Sequence, residues 1–324
     1  MLRFDVVILH GLWLYPAHAL SQLAKRLGDA MPPYCVYPHG MLDPWFQRAP
    51  ERRLKAIRNW FYWKLIERHV IGRAAAVLFT CAEEMRLAQG TFWPYRPRRQ
   101  MNVGLGVNAS PGFLGRMSAA FAEKCPGLNG RPYLLFLSRI HPKKGVDLLI
   151  KAYSAVHGGA KSSSQSPVGS GSPALVIAGP GLETEYGKAI QKLAVELCPP
   201  DSVLFPGMLT GDAKWGGFYG CEAFVLSSHQ ENFGIAVAEA LACGKPVLIS
   251  NQINIWREIA EDHAGLVEAD TEAGTQTLLQ RWKALSAADK AAFQPEAKAC
   301  FESRFGVAKA AKTLSATLSE LTGK

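Results

Sequence analysis

Residues 223–250 alternate between the pattern of a strand and that of a helix, which restricts this part of the chain to a parallel α/β unit. The apolar run at 223–227 predicts a buried strand, the Ala-rich run at 233–243 predicts a helix, and 246–250 predicts the next strand. A turn containing Gly234 joins the first strand to the helix. Such a unit places free backbone N–H groups and the positive end of a helix dipole at the carboxyl edge of a sheet, where phosphates bind.

Two carboxylates flank this turn. Glu231 precedes the helix, and Glu239 follows eight residues later, about two turns into the helix. Carboxylates on either side of a phosphate site suit hydroxyl-rich groups at the two ends of a diphosphate, a sugar at one end and a ribose at the other. An isolated pair has a second explanation, because most glutamates serve as helix-start or surface charges. The pair alone leaves both explanations open.

A second strand-to-helix junction lies upstream and carries basic residues. An apolar strand at 132–138 ends at Arg139, Pro142 and Gly145 shape a tight turn, and Lys144 opens an amphipathic helix. The planar fork of an arginine and the compact charge of a lysine suit a diphosphate. By itself, an Arg-x4-Lys-Gly turn is also ordinary solvated loop chemistry.

Together, the two junctions resemble a known enzyme family. The run containing Glu231 and Glu239 resembles the E-x7-E signature of retaining glycosyltransferases of family 4 (glycosyl transferases group 1), and the Arg139–Lys144 turn resembles the family's upstream signature. The resemblance implies the GT-B fold, in which two Rossmann-like, doubly wound α/β domains face a cleft. It also implies a retaining hexosyltransferase-type enzyme that moves a sugar from a nucleotide diphosphate sugar to a hydroxyl acceptor, in polysaccharide or glycolipid biosynthesis.

The resemblance assigns roles to individual residues. Arg139 and Lys144 would hold the diphosphate and stabilise the leaving group. Glu239 would accept hydrogen bonds from the ribose, and Glu231 would bind the hydroxyls of the donor sugar. The donor site would be completed by the turn and the start of the helix, at Asn232, Phe233, Gly234 and Ile235.

The first part of the chain offers one further candidate. His39 and Gly40 follow a predicted strand and begin a Pro-containing turn, the place where an open α/β sheet carries binding loops. A single loop histidine is usually a solvated or capping residue, but the family resemblance implies that His39 orients the donor sugar. The segment from His10 to Trp13 closes the preceding strand in the same way. It either lines the acceptor side or forms a turn with a core tryptophan.

The predicted catalytic residues are thus His39, Glu231, Arg139 and Lys144, with the nucleotide diphosphate sugar as co-substrate. The sequence contains no Asp-x-Asp metal motif, so we expect no cofactor and no metal ion. We expect the acceptor to be a saccharide or a lipid-linked saccharide.

Length and element spacing predict two domains. A chain of 324 residues is long enough for two cores. We expect an acceptor-side domain at 1–128, a nucleotide-sugar domain at 129–300 and a helix at 301–324 that crosses back to the first domain. The low-complexity stretch at 161–173 is expected to be a surface insertion. Besides those named above, the predicted strands lie near 4–10, 34–38, 75–79, 100–103, 174–178, 203–205 and 265–268.

Composition points to the cytoplasm. Apolar residues make up 48% and charged residues 19% of the chain, and no apolar run approaches the ~18–20 residues that cross a bilayer. The N-terminus lacks the pattern of a signal peptide. Seven scattered cysteines without a C-x-x-C pair suggest neither a zinc site nor a disulfide framework. We expect a cytoplasmic protein, with peripheral attachment to the inner face of the membrane as a further option.

Much of the net charge of +9 is concentrated in residues 48–73, where basic residues alternate with aromatic ones. Three interpretations remain open for this segment: a solvated basic face whose rings turn to the core, a peripheral surface for anionic membranes, or a nucleic-acid-binding surface. No nucleic-acid recognition motif is present, so we expect no nucleic-acid partner. An anionic membrane surface remains a candidate partner.

The chain departs from the family pattern at its start. Family members carry a strand and a Gly-rich turn before the segment that matches His10 to Trp13, and this chain begins only shortly before that segment. Either the start codon lies further upstream, which we favour, or the first domain is truncated. The alternative function is therefore a non-catalytic or truncated GT-B protein that binds nucleotide sugar or a membrane without turnover.

Overall fold

The computed structural model describes residues 4–49, 52–158 and 172–323, and these form two compact units. One unit comprises residues 4–106 together with 307–323, and the other comprises 107–306. Most of the low-complexity stretch, residues 159–171, lies outside the described residues. Among the helices of the described ranges, none combines the length and the apolarity needed to span a bilayer.

The first unit is built on a four-stranded parallel sheet in the order β1-β2-β3-β4. Each strand is short, and the central two are fully buried, as expected for strands covered on both faces. Its strands are β1 (Val7–His10), β2 (Tyr34–Tyr37), β3 (Ala76–Phe79) and β4 (Gln100–Asn102). Its helices are α1 (Tyr15–Leu27), α2 (Trp45–Arg48), α3 (Arg53–Tyr62), α4 (Arg68–Arg73) and α5 (Ala82–Ala88), with a π-helical turn at Trp63–Glu67 between α3 and α4.

The second unit is built on a six-stranded parallel sheet in the order β10-β9-β8-β5-β6-β7. Its strands are β5 (Tyr133–Leu137), β6 (Ala174–Ala178), β7 (Val203–Gly207), β8 (Ala223–Leu226), β9 (Val247–Ser250) and β10 (Gly265–Glu268). Its helices are α6 (Gly115–Lys124), α7 (Val146–His157), α8 (Glu185–Leu197), α9 (Gly211–Gly220), α10 (Ile235–Ala242), α11 (Trp256–Glu261), α12 (Glu272–Ala284) and α13 (Ala287–Cys300). The chain proceeds outward from β5 to β7 and then returns to place β8 on the other side of β5. The crevice at this reversal is where open α/β sheets bind ligands.

The last helix, α14 (Val307–Thr322), belongs to the first unit. Its Leu314, Leu318 and Leu321 pack against side chains on one face of the first sheet, among them Tyr37 and Leu78. Residues at intervals of three and four share one face of a helix, so these leucines form the stripe that covers the sheet.

The division between the units differs from the expected domain limits of 1–128, 129–300 and 301–324. It falls after Gly106, and α6 belongs to the second unit. The reason is the packing of α6 on α9: a Cβ added at Gly216 would lie 2.0 Å from the carbonyl oxygen of Met117. The two helix backbones approach so closely that only glycine fits there.

A buried carboxylate stands in the core of the first unit. Glu67 has an exposed fraction of 0%, and its Oε1 accepts a hydrogen bond of 2.7 Å from the backbone N–H of Trp13, in the loop after β1. Burial raises the pKa of Glu67 from 4.5 to about 7, and the hydrogen bond from Trp13 opposes this rise in part.

This raised pKa predicts a pH dependence of stability. Between pH 4.5 and 7 the folded protein binds more protons at Glu67 than the unfolded chain does, so the free energy of unfolding falls as pH rises through this window. We expect Glu67→Gln, which is neutral throughout, to gain on the order of 3 kcal/mol over the parent by pH 8. Urea unfolding from pH 4.5 to 8 measures the free energy of unfolding of both proteins.

Glu123→Gln, at an exposed position of α6, is the control and should follow the parent. Parallel curves for Glu67→Gln and the parent would contradict the prediction.

Candidate functional site

The turn after β5 is held against the end of β8 by a glycine. Gly145 has φ of +62°, and a Cβ at this position would lie 2.1 Å from the carbonyl oxygen of Ser227. The hydroxyl of Ser227 donates a hydrogen bond of 2.8 Å to the carbonyl of Gly145. Lys144 therefore ends a 3-10 turn rather than opening the helix, since α7 begins at Val146 with Gly145 as its N-cap.

The loop after β8 is tied to its neighbours by backbone hydrogen bonds. The N–H of His229 donates to the carbonyl of Lys143 (2.9 Å), and the N–H of Glu231 donates to the carbonyl of Gln252 (2.9 Å) after β9. The N–H of Asn254 donates back to the carbonyl of Glu231 (3.0 Å). The loops that follow β5, β8 and β9 thus form one connected edge.

Lys144 and Glu231 meet at this edge. The Nζ of Lys144 donates to the Oε2 of Glu231, although the two residues lie 87 positions apart in the sequence. The side chain of Lys144 is 9% exposed and that of Glu231 is 24% exposed. Burial lowers the pKa of Lys144 to about 8, with the charges of Lys143 and Arg139 adding to the shift. The carboxylate of Glu231 acts in the opposite direction, because it favours the charged form of the lysine.

Arg139 lies at the same edge with its side chain exposed to solvent. Its charge contributes to the lowered pKa of Lys144, so the two cations interact electrostatically. Neighbouring cations repel each other, and the repulsion acts most strongly on the buried Lys144. A diphosphate would relieve that repulsion.

The remaining residues that were predicted to contact the sugar donor lie at the start of α10. Gly234 is the N-cap residue with φ of +80°, and the helix begins at Ile235, which is exposed. Phe233 is buried, with its ring edge-on to Phe305 at 5.6 Å. The side chain of Phe233 thus anchors the turn, whereas the turn itself, including Asn232, remains at the edge of the sheet.

Glu239 pairs with a residue that the sequence analysis missed. It is the fifth residue of α10, about one turn into the helix, so its expected position two turns in was wrong. Its Oε1 lies 2.6 Å from the Nζ of Lys214 on α9, which in turn lies 4.4 Å from the centre of the Trp215 ring. The helix α9 contains several glycines and was not predicted, so no sequence signal placed Lys214 beside Glu239.

His39 lies in the first unit, with an unusual backbone conformation. Its φ is +51°, its ring stacks on Tyr37 at 4.1 Å, and its Nε2 lies 2.8 Å from the Nδ1 of His10. Burial and the neighbouring His10 lower the pKa of His39. The structure therefore pairs His39 with His10, which the sequence analysis had placed at the end of the preceding strand.

The loop that carries His39 is fixed by a second buried carboxylate. The Oε1 of Glu84 accepts a hydrogen bond from the backbone N–H of Gly40, and its Oε2 accepts one from the N–H of Thr80 (2.8 Å). Glu84 is 2% exposed. Sequence reasoning missed this residue, because a glutamate near the start of a helix ordinarily interacts with that helix.

Within the described ranges, no three or more His, Cys, Asp or Glu side chains converge as a metal ion would require. Around Lys144, the charged groups are instead cations and the Glu231 carboxylate.

Comparison with solved structures agrees with the two parallel α/β units. Sucrose-phosphate synthase from Thermosynechococcus elongatus superposes with a TM-score of 0.70 at 18% identity, over 99% of this chain and 74% of that one. Anabaena HepE in complex with UDP and glucose gives 0.71 at 18% identity, over 98% and 78%. At this identity the similarity shows the fold alone, and it confirms the GT-B class.

Curated relatives match over part of their length. The D-inositol 3-phosphate glycosyltransferase of Frankia alni is 34% identical over 140 residues, which cover 42% of this chain and 32% of that protein. The corresponding protein of Geodermatophilus obscurus is 27% identical over 234 residues, 68% of this chain and 49% of that one. The matched regions thus span half or less of these relatives.

Two family models match the chain. The model described as glycosyl transferase 4-like domain matches residues 2–106, and the model described as glycosyl transferases group 1 matches residues 123–280. The first covers the unit that carries His39, and the second covers the edge where Lys144 and Glu231 meet. This chain belongs to the family 4 glycosyltransferases, the glycosyl transferases group 1.

Proposed function

We propose that this protein transfers a sugar from a nucleotide diphosphate sugar to a hydroxyl acceptor, with retention of configuration at the anomeric carbon. The observation that carries the proposal is the contact between Lys144 and Glu231 at the reversal point of the second sheet. A phosphate-binding cation and a sugar-binding carboxylate there stand side by side, as they must where a sugar is bonded to a diphosphate. The HepE structure with UDP and glucose supports a donor of this kind by analogy.

In this proposal the donor inserts into contacts that already exist. The diphosphate takes hydrogen bonds from Lys144 and Arg139, which frees the carboxylate of Glu231 for the sugar hydroxyls. Backbone N–H groups at the start of α10, from Asn232 to Gly234, lie at the positive end of the helix dipole. Ile235 is exposed beside them and contributes apolar contact.

Glu239 takes the ribose in this proposal. The Lys214 ammonium holds its carboxylate in one position before the nucleotide binds, and a carboxylate has enough lone pairs to keep that bond while accepting two hydroxyls. The nucleoside end of the donor therefore meets a preorganised group.

Transfer with retention needs no side-chain nucleophile in this scheme. The acceptor oxygen attacks the anomeric carbon from the face that the diphosphate leaves, and the bond between that carbon and the phosphate oxygen breaks. The acceptor proton passes to an oxygen of the departing phosphate. Lys144 and Arg139 stabilise the negative charge that develops there, so no metal ion is needed. The role of His39, which orients the sugar, comes from the family resemblance, and its lowered pKa favours the neutral imidazole.

We propose a saccharide or a lipid-linked saccharide as acceptor, in polysaccharide or glycolipid biosynthesis. The cytoplasm, with peripheral association to the membrane, is the proposed location. The Frankia alni and Geodermatophilus obscurus relatives are named for transfer to an inositol phosphate, which is likewise a polyhydroxyl acceptor.

Lys144→Ala tests the diphosphate assignment. Loss of one charged donor from a site that gains negative charge in the transition state costs about 3 kcal/mol, so we expect kcat/KM to fall about 100-fold. Release of nucleoside diphosphate from UDP-, GDP- and ADP-sugars measures turnover, and circular dichroism checks the fold.

Lys188→Ala is the matched control, because Lys188 pairs with Glu185 on the exposed surface of α8 in the same unit. It should keep parental kinetics. Parental kinetics in a folded Lys144→Ala variant would refute the assignment, and donor binding without any turnover in the parent would favour the non-catalytic alternative.

Chelation tests the metal-free mechanism. Because cations of the chain itself neutralise the leaving group in this proposal, we expect excess EDTA to leave kcat unchanged. A loss of activity that added Mg2+ or Mn2+ restores would show that an ion performs this task.

Separate roles for the two glutamates predict separate effects. Glu239→Ala should weaken binding of the bare nucleoside diphosphate about tenfold, since it removes a ribose contact present before and during reaction. Glu231→Ala should lower kcat while leaving that binding within about twofold, because its partner is the transferred sugar. Calorimetric titration with UDP, GDP and ADP measures the affinities and identifies the preferred base.

Glu268→Ala, which removes a carboxylate paired with Arg281, is the control. Equal losses of nucleotide affinity at 231 and 239 would refute the division.

A further inference from the structure

A stripe of exposed apolar side chains follows α3 into the π-helical turn. Leu54, Ile57, Phe61 and Leu65 recur at intervals of three or four residues, so they share one face of the helix. Their exposed fractions are 84%, 57%, 53% and 72%. Single exposed apolar residues are common on soluble proteins, but a continuous row of four large ones marks an interaction surface.

The opposite face of the same helix packs into the core. Asn59, Trp63 and Glu67 recur every four residues and are 4%, 0% and 0% exposed. The helix therefore has one buried face and, opposite it, an apolar face turned to solvent. Of the four consecutive aromatic residues at 60–63, Trp63 alone is buried. The interpretation in which these rings turn to the core is wrong for the other three.

Basic side chains lie along both sides of the apolar stripe. With 100° between successive residues, Arg53 and Lys64 fall on one side, and Lys55 and Arg58 fall on the other. Residues 52–73 include seven Lys and Arg and one carboxylate, that of the buried Glu67. The solvent side of this helix therefore carries positive charge with no acidic residue from residues 52–73 to balance it.

Trp93 extends this surface from a second segment of the unit. Its ring is 78% exposed, and its carbonyl accepts a hydrogen bond of 2.9 Å from the Nζ of Lys64. The same Nζ lies 5.3 Å from the ring centre of Trp93 and 5.5 Å from that of Trp60. Exposed tryptophans next to lysines are typical of the level where lipid headgroups meet acyl chains.

We propose that this surface, the α3 face, docks on an anionic lipid bilayer. Its apolar stripe would enter the boundary between headgroups and acyl chains, and its basic flanks would contact anionic headgroups. This proposal assigns a specific surface to the peripheral membrane association proposed above, and it rests on that association. Sugar transfer is measured separately by turnover of soluble donor, so the two proposals can fail independently.

The composition of the α3 face favours lipid over nucleic acid. Basic and aromatic residues would serve either partner, but the aliphatic side chains of Leu54, Ile57 and Leu65 gain nothing from phosphates or bases. They gain most when they leave water for hydrocarbon. A second copy of the chain is disfavoured for a different reason. A symmetric pairing of the α3 face with itself would bring the basic flanks of both copies together.

Vesicle sedimentation with the full chain tests the proposal. We expect binding to vesicles of phosphatidylcholine with phosphatidylglycerol, weak binding to phosphatidylcholine alone, and a decrease at higher salt. Phe61→Glu with Leu65→Glu should reduce binding at least about tenfold by placing charge in the stripe. Arg53→Ala with Lys55→Ala should reduce binding to the anionic vesicles about fivefold per residue, with little effect on neutral ones.

Val195→Glu is the matched control, because it also places a carboxylate at an exposed apolar position of a helix, on α8 in the other unit. It should bind as the parent does, and circular dichroism should show that all variants are folded. Failure of the parent to bind anionic vesicles overturns the proposal, as does equal binding by parent and stripe variant. Tighter binding to a single-stranded oligonucleotide than to vesicles would assign the face to nucleic acid. A parental dimer that Phe61→Glu with Leu65→Glu converts to monomer would assign it to a second copy.

Discussion

The close approach of two backbones at Gly145 and Ser227 is the constraint on which the second unit's site depends. In its sheet, β5 lies between β8 and β6, so the loops that leave β5 and β8 emerge side by side. Only a residue without a Cβ allows them to touch, because a side chain at Gly145 would overlap the Ser227 carbonyl. Once they touch, Lys144 and Glu231 are brought from distant parts of the sequence into one contact. A substitution at Gly145 would therefore disturb the site without removing any of its functional groups.

The strands were predictable from sequence, whereas the positions of some helices were not. Every strand of the described residues was expected within a few positions, because buried parallel strands read as short apolar runs between turn residues. The helices α9 and α11 were not assigned a position. Four of the ten residues of α9 are glycines, which lower helix propensity, and two of them, Gly216 and Gly217, pack closely on α6. Local propensity and tertiary packing conflict there, and packing prevails. The helical segment from Arg53 to Arg73 is not one continuous α-helix, because the π-helical turn at Trp63–Glu67 divides it.

The sequence singled out the candidate site residues but not their partners. Lys144 and Glu231 were assigned to one donor site from two separate signatures, and the structure brings them into contact. The partner of Glu239 could not be found in this way, since Lys214 belongs to a helix that the sequence did not reveal. Glu84 was missed as well, because its carboxylate reaches the loop of His39 from another element. Signatures record which groups a family retains, whereas the groups that hold them in place follow from packing.

The buried pair of Lys144 and Glu231 also explains how a site for an anion can persist without one. A lysine removed from water is costly, and the lowered pKa of Lys144 expresses that cost. Glu231 reduces the cost by supplying the negative charge that the ligand would otherwise bring. In the proposed function, an entering diphosphate would replace this carboxylate as the partner of the lysine, and the carboxylate would then face the group bonded to the diphosphate. Phosphate binding and sugar binding would thus be linked through this one ion pair, because the carboxylate that leaves the lysine becomes available to the sugar hydroxyls.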